Sequence, residues 1–174
     1  MSKKCKFFGA DPIEERNRKI FEPIGKYFKM AVGAISGLKN ASVLGYNGNW
    51  HYQTVQMQHV DLLTFLKEHV GIKHVIDILL MDNEGAEYDS APYFLRDGIL
   101  DSNNIVVCQW TCEFHVTNEA NQMKLADFII KNAAAGKYIM TRLSTAGHIR
   151  INFFNTVDKV CLERYWRRCG RSKR

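Results

Sequence analysis

Two apolar runs along the chain share one form, a stretch of buried-strand character that finishes in a cluster of ionisable side chains. The first, Val75-Ile76-Asp77-Ile78-Leu79-Leu80-Met81, is apolar on both alternating faces apart from Asp77. That pattern predicts a strand covered by helices on each side of a parallel sheet. It stops at Asp82-Asn83-Glu84-Gly85-Ala86-Glu87. The second, Ile105-Val106-Val107-Cys108, runs on through Gln109-Trp110-Thr111-Cys112 to Glu113-Phe114-His115. Between them Ala86–Asp97 has the length of a crossover helix, with Gly98 placed to end it. A right-handed crossover makes the two strands parallel and brings Asp82, Glu84, Glu113 and His115 near their carboxyl ends. In open α/β sheets that edge is where ligands bind.

The remaining elements follow from the same kind of reading. Lys6–Ala10 predicts a short strand turning into a helix over Ile13–Ile20, with Asp11 as its cap and Pro12 at its first position. Lys29–Ser36 predicts the next strand. Ala41–Tyr46 and Trp50–Val55 predict a hairpin joined through Asn47-Gly48-Asn49, since Asn-Gly suits a tight hairpin turn. Asp61 is placed to cap a helix through Val70, with Leu62, Leu63, Phe65 and Leu66 on its apolar side. Beyond His115, Asn118–Ala135 has helical spacing, grouping Met123, Leu125, Phe128, Ile129 and Ile130 on one side, and Gly136 stops it. Tyr138–Leu143 and His148–Phe154 alternate as an antiparallel hairpin, and a last helix runs from Val157 to Arg167. Strands alternating with helices specify an α/β three-layer sandwich, mostly parallel, with an antiparallel pair at one edge.

Composition narrows the picture. A chain of 174 residues, 46% apolar and with only three prolines, is expected to form one folded domain over residues 1–174. No run approaches the length of a membrane span, and the first residues lack a signal-type apolar core. The net charge of +6 is the charge of a tail: Arg164, Arg167, Arg168, Arg171, Lys173 and Arg174 carry it, and the remainder balances to zero. A neutral body whose aromatics (Trp50, Tyr52, Phe65) do not interleave with basic residues argues against nucleic acid. The five cysteines match no zinc spacing, and Cys108 and Cys112, roughly 13 Å apart on one strand, are too distant to pair. Free, mostly buried thiols in a reducing, cytoplasmic setting are the expectation.

Phe8-Gly9-Ala10-Asp11-Pro12, Ile78–Glu87 and Cys108–His115 resemble the FkbM-type methyltransferase domain, particularly its nematode branch, with the likeness covering roughly residues 7–165. The resemblance implies a Rossmann-like class I methyltransferase sandwich ending in a hairpin, S-adenosylmethionine as cofactor, and a small-molecule or glycan acceptor methylated on oxygen. It puts Asp11 on the ribose hydroxyls, Ala34 and Ser36 beside the adenine, and Asp82 and Glu84 beside donor and acceptor. Methyl transfer is an in-line displacement dominated by positioning, and a hydroxyl acceptor must also lose its proton, for which Asp82 or His115 is suited. Glu84 and Glu87 also suit the following helix as caps, and no spacing among Asp82, Glu84, Glu113 and His115 demands a metal. Class I methyltransferases begin with a strand and a glycine-rich turn, whereas this chain starts at the second strand of that pattern. The resemblance therefore implies an N-terminally truncated form with weak or absent cofactor binding. A non-catalytic scaffold that binds a partner is the alternative.

Overall fold

A computed structural model describes residues 5–44, 51–115 and 118–166. The chain divides into two compact units, Met1–Val70 and Gly71–Arg174. The sheets are mixed: among the described strands, parallel pairings join Phe8–Ala10 to Lys26–Phe28, Ala31–Gly33 to Tyr52–Asp61 and Val75–Met81 to Val106–Phe114, and the other three pairings are antiparallel. The fold is thus α/β, with more antiparallel pairing than the strand-helix alternation predicts, because two hairpins contribute pairs that need only a short turn.

In the first unit, β1 (Phe8–Ala10) and β2 (Lys26–Phe28) pair in parallel around α1 (Glu14–Phe21). The helix forms one residue later than the expected Ile13–Ile20, and its cap lies two residues beyond Asp11. Ile13 occupies the cap position with no side-chain cap, and Asp11 Oδ1 accepts instead from the Ile13 amide at 2.6 Å. The Tyr27 hydroxyl fastens the same turn by donating to the carbonyls of Asp11 and Ile13. A second sheet has the order β3 (Ala31–Gly33), β5 (Tyr52–Asp61), β4 (Gly37–Leu44). The predicted hairpin forms in antiparallel register and extends further than expected, while its Asn47-Gly48-Asn49 turn lies outside the described residues. Asp61 caps α2 (Leu62–Thr64) as expected, accepting from the Thr64 amide, and the helix continues as a π turn over Phe65–Val70. Leu62, Phe65 and Leu66 are buried, with Phe65 edge-on to Phe28 at 5.5 Å.

The second unit holds a four-stranded sheet in the order β6 (Val75–Met81), β7 (Val106–Phe114), β9 (Ile149–Asn155), β8 (Tyr138–Ser144). β6 and β7 run parallel, and β8 and β9 form the terminal antiparallel hairpin. The covering of β6 on both faces does not hold: Ile76 and Met81 are buried, but Ile78 and Leu80 on this outer strand are exposed. The single crossover helix is also replaced, by α3 (Glu87–Ser90), a 3₁₀ turn over Ala91–Phe94 and α4 (Ile99–Ser102). Pro92 cannot donate to a continuing helix, and Gly98 caps the start of α4 rather than ending a helix. α5 (Glu119–Ala135) is capped by Asn118, which accepts from the Asn121 amide, and closed by Gly136 at φ 63°. Its apolar residues split into two stripes, Leu125 and Phe128 buried, Met123 and Ile130 exposed.

The core of this unit is an aromatic stack. Trp110 of β7 lies face to face with Phe94 at 4.0 Å and with Phe153 at 4.2 Å, and Phe128 meets it edge-on at 5.8 Å. The last helix, α6 (Lys159–Cys161), continues as a π turn over Leu162–Trp166; residues 167–174, most of the basic tail, lie outside the described residues. Arg164 and Tyr165 both bond Asp77 on β6 at 2.6 Å. The expectation of free thiols is corrected at one pair: Cys108 on β7 and Cys161 on α6 form a disulfide, with their Cα atoms 5.1 Å apart. The two lie 53 residues apart in sequence, so only the docking of the last helix on the sheet brings them together. Cys112 is free and buried, Cys5 free and exposed.

Candidate functional site

Parallel pairing of β6 and β7 delivers Asp82, Glu84, Glu113 and His115 to one rim, and His115 is its hub. The imidazole Nε2 lies 3.5 Å from Asp82 Oδ1, 3.7 Å from Glu113 Oε1 and 3.9 Å from Glu84 Oε2. Asp82 and Glu113 thus converge on the same nitrogen. The loop after β6 is shaped by its backbone: Glu84 has φ 50° and Gly85 φ 113°, left-handed conformations that glycine adopts easily and glutamate seldom does.

Glu87 holds this arrangement from below. Its carboxylate is completely buried and accepts from the amides of Asn83 at 2.9 Å and Gly85 at 2.7 Å, closing the loop. It also pairs with His115 Nδ1 at 2.9 Å, so that Nδ1 carries the hydrogen and Nε2 is turned to the rim. Burial pulls the His115 imidazole down, but the Glu87 hydrogen bond and the charges of Glu87, Glu84 and Asp82 outweigh it and hold the group above its ordinary value. Burial, and then the charges of Glu87, Asp82 and Glu113, push the neighbouring Cys112 thiol far up, so it stays protonated and unreactive.

β9 completes the rim. Glu113 stands opposite Arg150 in the antiparallel register, and the guanidinium grips its carboxylate with two hydrogen bonds of 2.7 and 2.5 Å. Just before β9, the exposed ring of His148 lies 4.3 Å from that of His115. Nothing in the sequence marks Glu87, His148 or Arg150 as functional. Glu87 reads there as a helix cap, and the other two reach the rim through a β7–β9 pairing that alternation alone does not reveal.

The residues expected to hold a cofactor in the first unit have other partners. Asp11 accepts from the Ile13 amide through one oxygen. The Ser36 hydroxyl donates to Asp61 Oδ2 at 2.6 Å and accepts from the Asp61 amide at 2.8 Å. Ala34 follows β3 directly.

Compared with known protein families, residues 12–150 match the Methyltransferase FkbM domain, well over half of the chain. The chain belongs to this family. The FkbM match spans both strands that carry the rim and ends at Arg150. No curated protein and no solved structure matches the chain. Among the described residues no helix of this FkbM domain is long and apolar enough to cross a membrane.

Proposed function

We propose that the chain is an S-adenosylmethionine-dependent methyltransferase acting on a hydroxyl oxygen of a small molecule or glycan. One observation carries the reading: in a member of the FkbM family, three carboxylates and an imidazole converge where two parallel neighbouring strands end. When bound, the cofactor supplies a methyl group on a sulfonium, and that group passes to the acceptor oxygen as the carbon–sulfur bond breaks.

The chain's own part is positioning and proton transfer. The Asp82 side chain is 68% exposed and its described partner is His115, so its carboxylate is accessible to an acceptor. In this reading Asp82 takes the hydroxyl proton, while His115, fixed by Glu87, and Glu84 line the same rim. The donor set suits the cofactor in part. Asp11 Oδ2 carries no hydrogen bond among the described residues, which leaves an acceptor of the kind a ribose diol requires. The Ser36 hydroxyl is already used in both directions by Asp61, so Ser36 and Ala34 are assigned to the adenine edge through their backbone.

Isothermal titration of the purified chain with S-adenosylhomocysteine tests the reading. One site per chain is expected, with Asp82→Asn weakening binding by about tenfold or more. No heat of binding at millimolar ligand would remove it.

A further inference from the structure

We propose that Glu113, His115 and His148 hold one divalent transition-metal ion. The β7–β9 register builds the set. Glu113 opposes Arg150 and Phe114 opposes Ile149, so the next step of the same ladder sets His115 opposite His148. Side chains alternate along a strand, which puts Glu113 and His115 on one face. One ligand atom from each of the three residues lies within 4.8 Å of the others. Bonds of about 2.0–2.1 Å in a tetrahedral site place ligand atoms roughly 3.4 Å apart. His148 is exposed, so of the three side chains it has the most room to move toward that spacing.

Four further observations point to a cation rather than to a chance cluster. The His115 side chain is only 8% exposed, and its Nε2, aimed into the set, makes no hydrogen bond to any described residue. Its other nitrogen is anchored by the buried Glu87 carboxylate, the arrangement that fixes the tautomer and direction of metal-bound imidazoles. His148 likewise makes no hydrogen bond to a described residue, and its ring lies against that of His115. Charge is also out of balance: Asp82, Glu84, Glu87 and Glu113 surround His115, and Arg150 offsets Glu113 alone. Two imidazoles with a carboxylate suit zinc, cobalt or iron(II) better than magnesium or calcium, which prefer all-oxygen shells. The same His115 nitrogen faces Asp82 and Glu84, which form a second such group with it, and the inference does not depend on methyl transfer.

Isothermal titration of the purified full chain with zinc chloride, with no methyl donor present, is the test. One ion per chain is expected at about micromolar dissociation or tighter. His148→Ala is expected to weaken binding at least tenfold and Cys5→Ser to leave it unchanged. Loading with cobalt(II) should give visible absorption bands that His148→Ala abolishes. His148 is exposed, so its loss leaves the core intact, which far-ultraviolet circular dichroism checks. No zinc binding, or equal affinity and an unchanged cobalt spectrum in His148→Ala, overturns the proposal. A chain that binds zinc but transfers no methyl group would count against the proposed function alone.

Discussion

His115 and Glu87 form the pair on which the rim turns. A fully buried carboxylate with three donors around it is stable only while all three remain, and the imidazole is one of them. The imidazole is raised in the folded chain, so the stability it contributes is fully present below its unfolded value of about 6.5 and is lost as the pH rises through the folded value. In metal-free protein, urea unfolding should therefore show stability declining above neutrality, and His115→Gln should flatten that decline. Equal slopes in both proteins would show that the Glu87 pairing does not bias the titration. At this scale the sequence is informative where chemistry sits at a strand end: Asp82, Glu84, Glu113 and His115 are legible as the residues that follow two apolar runs. Glu87 is legible only as a helix cap, because its burial depends on a left-handed loop at Glu84 and Gly85.

Elements repeat the lesson one level up. Periodicity places β6, β7, α5 and the β8–β9 hairpin within a residue or two, since each is long enough for its period to show. Three-residue strands such as β2 carry no period, and β2 escapes notice between Gly25 and Lys29. The crossover is the clearest departure, and Gly98 shows why. A Cβ built there would lie 2.8 Å from the Pro92 carbonyl oxygen and 2.9 Å from those of Tyr93 and Leu95. The glycine is required by close approach of the backbone rather than by a helix end. Gly98→Ala is expected to destabilise the chain by about 1–3 kcal/mol, since three carbonyls fixed by their own turn cannot move aside. A urea midpoint equal to wild type would mean that the turn yields.

Over the whole molecule the Cys108–Cys161 disulfide matters most, because a reducing compartment is expected only of free thiols. It closes a loop spanning 53 residues of sequence separation, for which chain entropy alone gives about 4 kcal/mol. Paired Cys108→Ser and Cys161→Ser substitutions should lower unfolding stability by an amount of that order, measured against the oxidised chain. An unchanged stability would show that the bond is incidental to the fold. The bond also ties α6 to the strand that carries Trp110 and the rim, where Arg164 and Tyr165 reach Asp77. Its covalent consequence is topological. A protease that nicks the backbone once anywhere between Cys108 and Cys161 leaves two fragments that migrate as one species until a thiol is added.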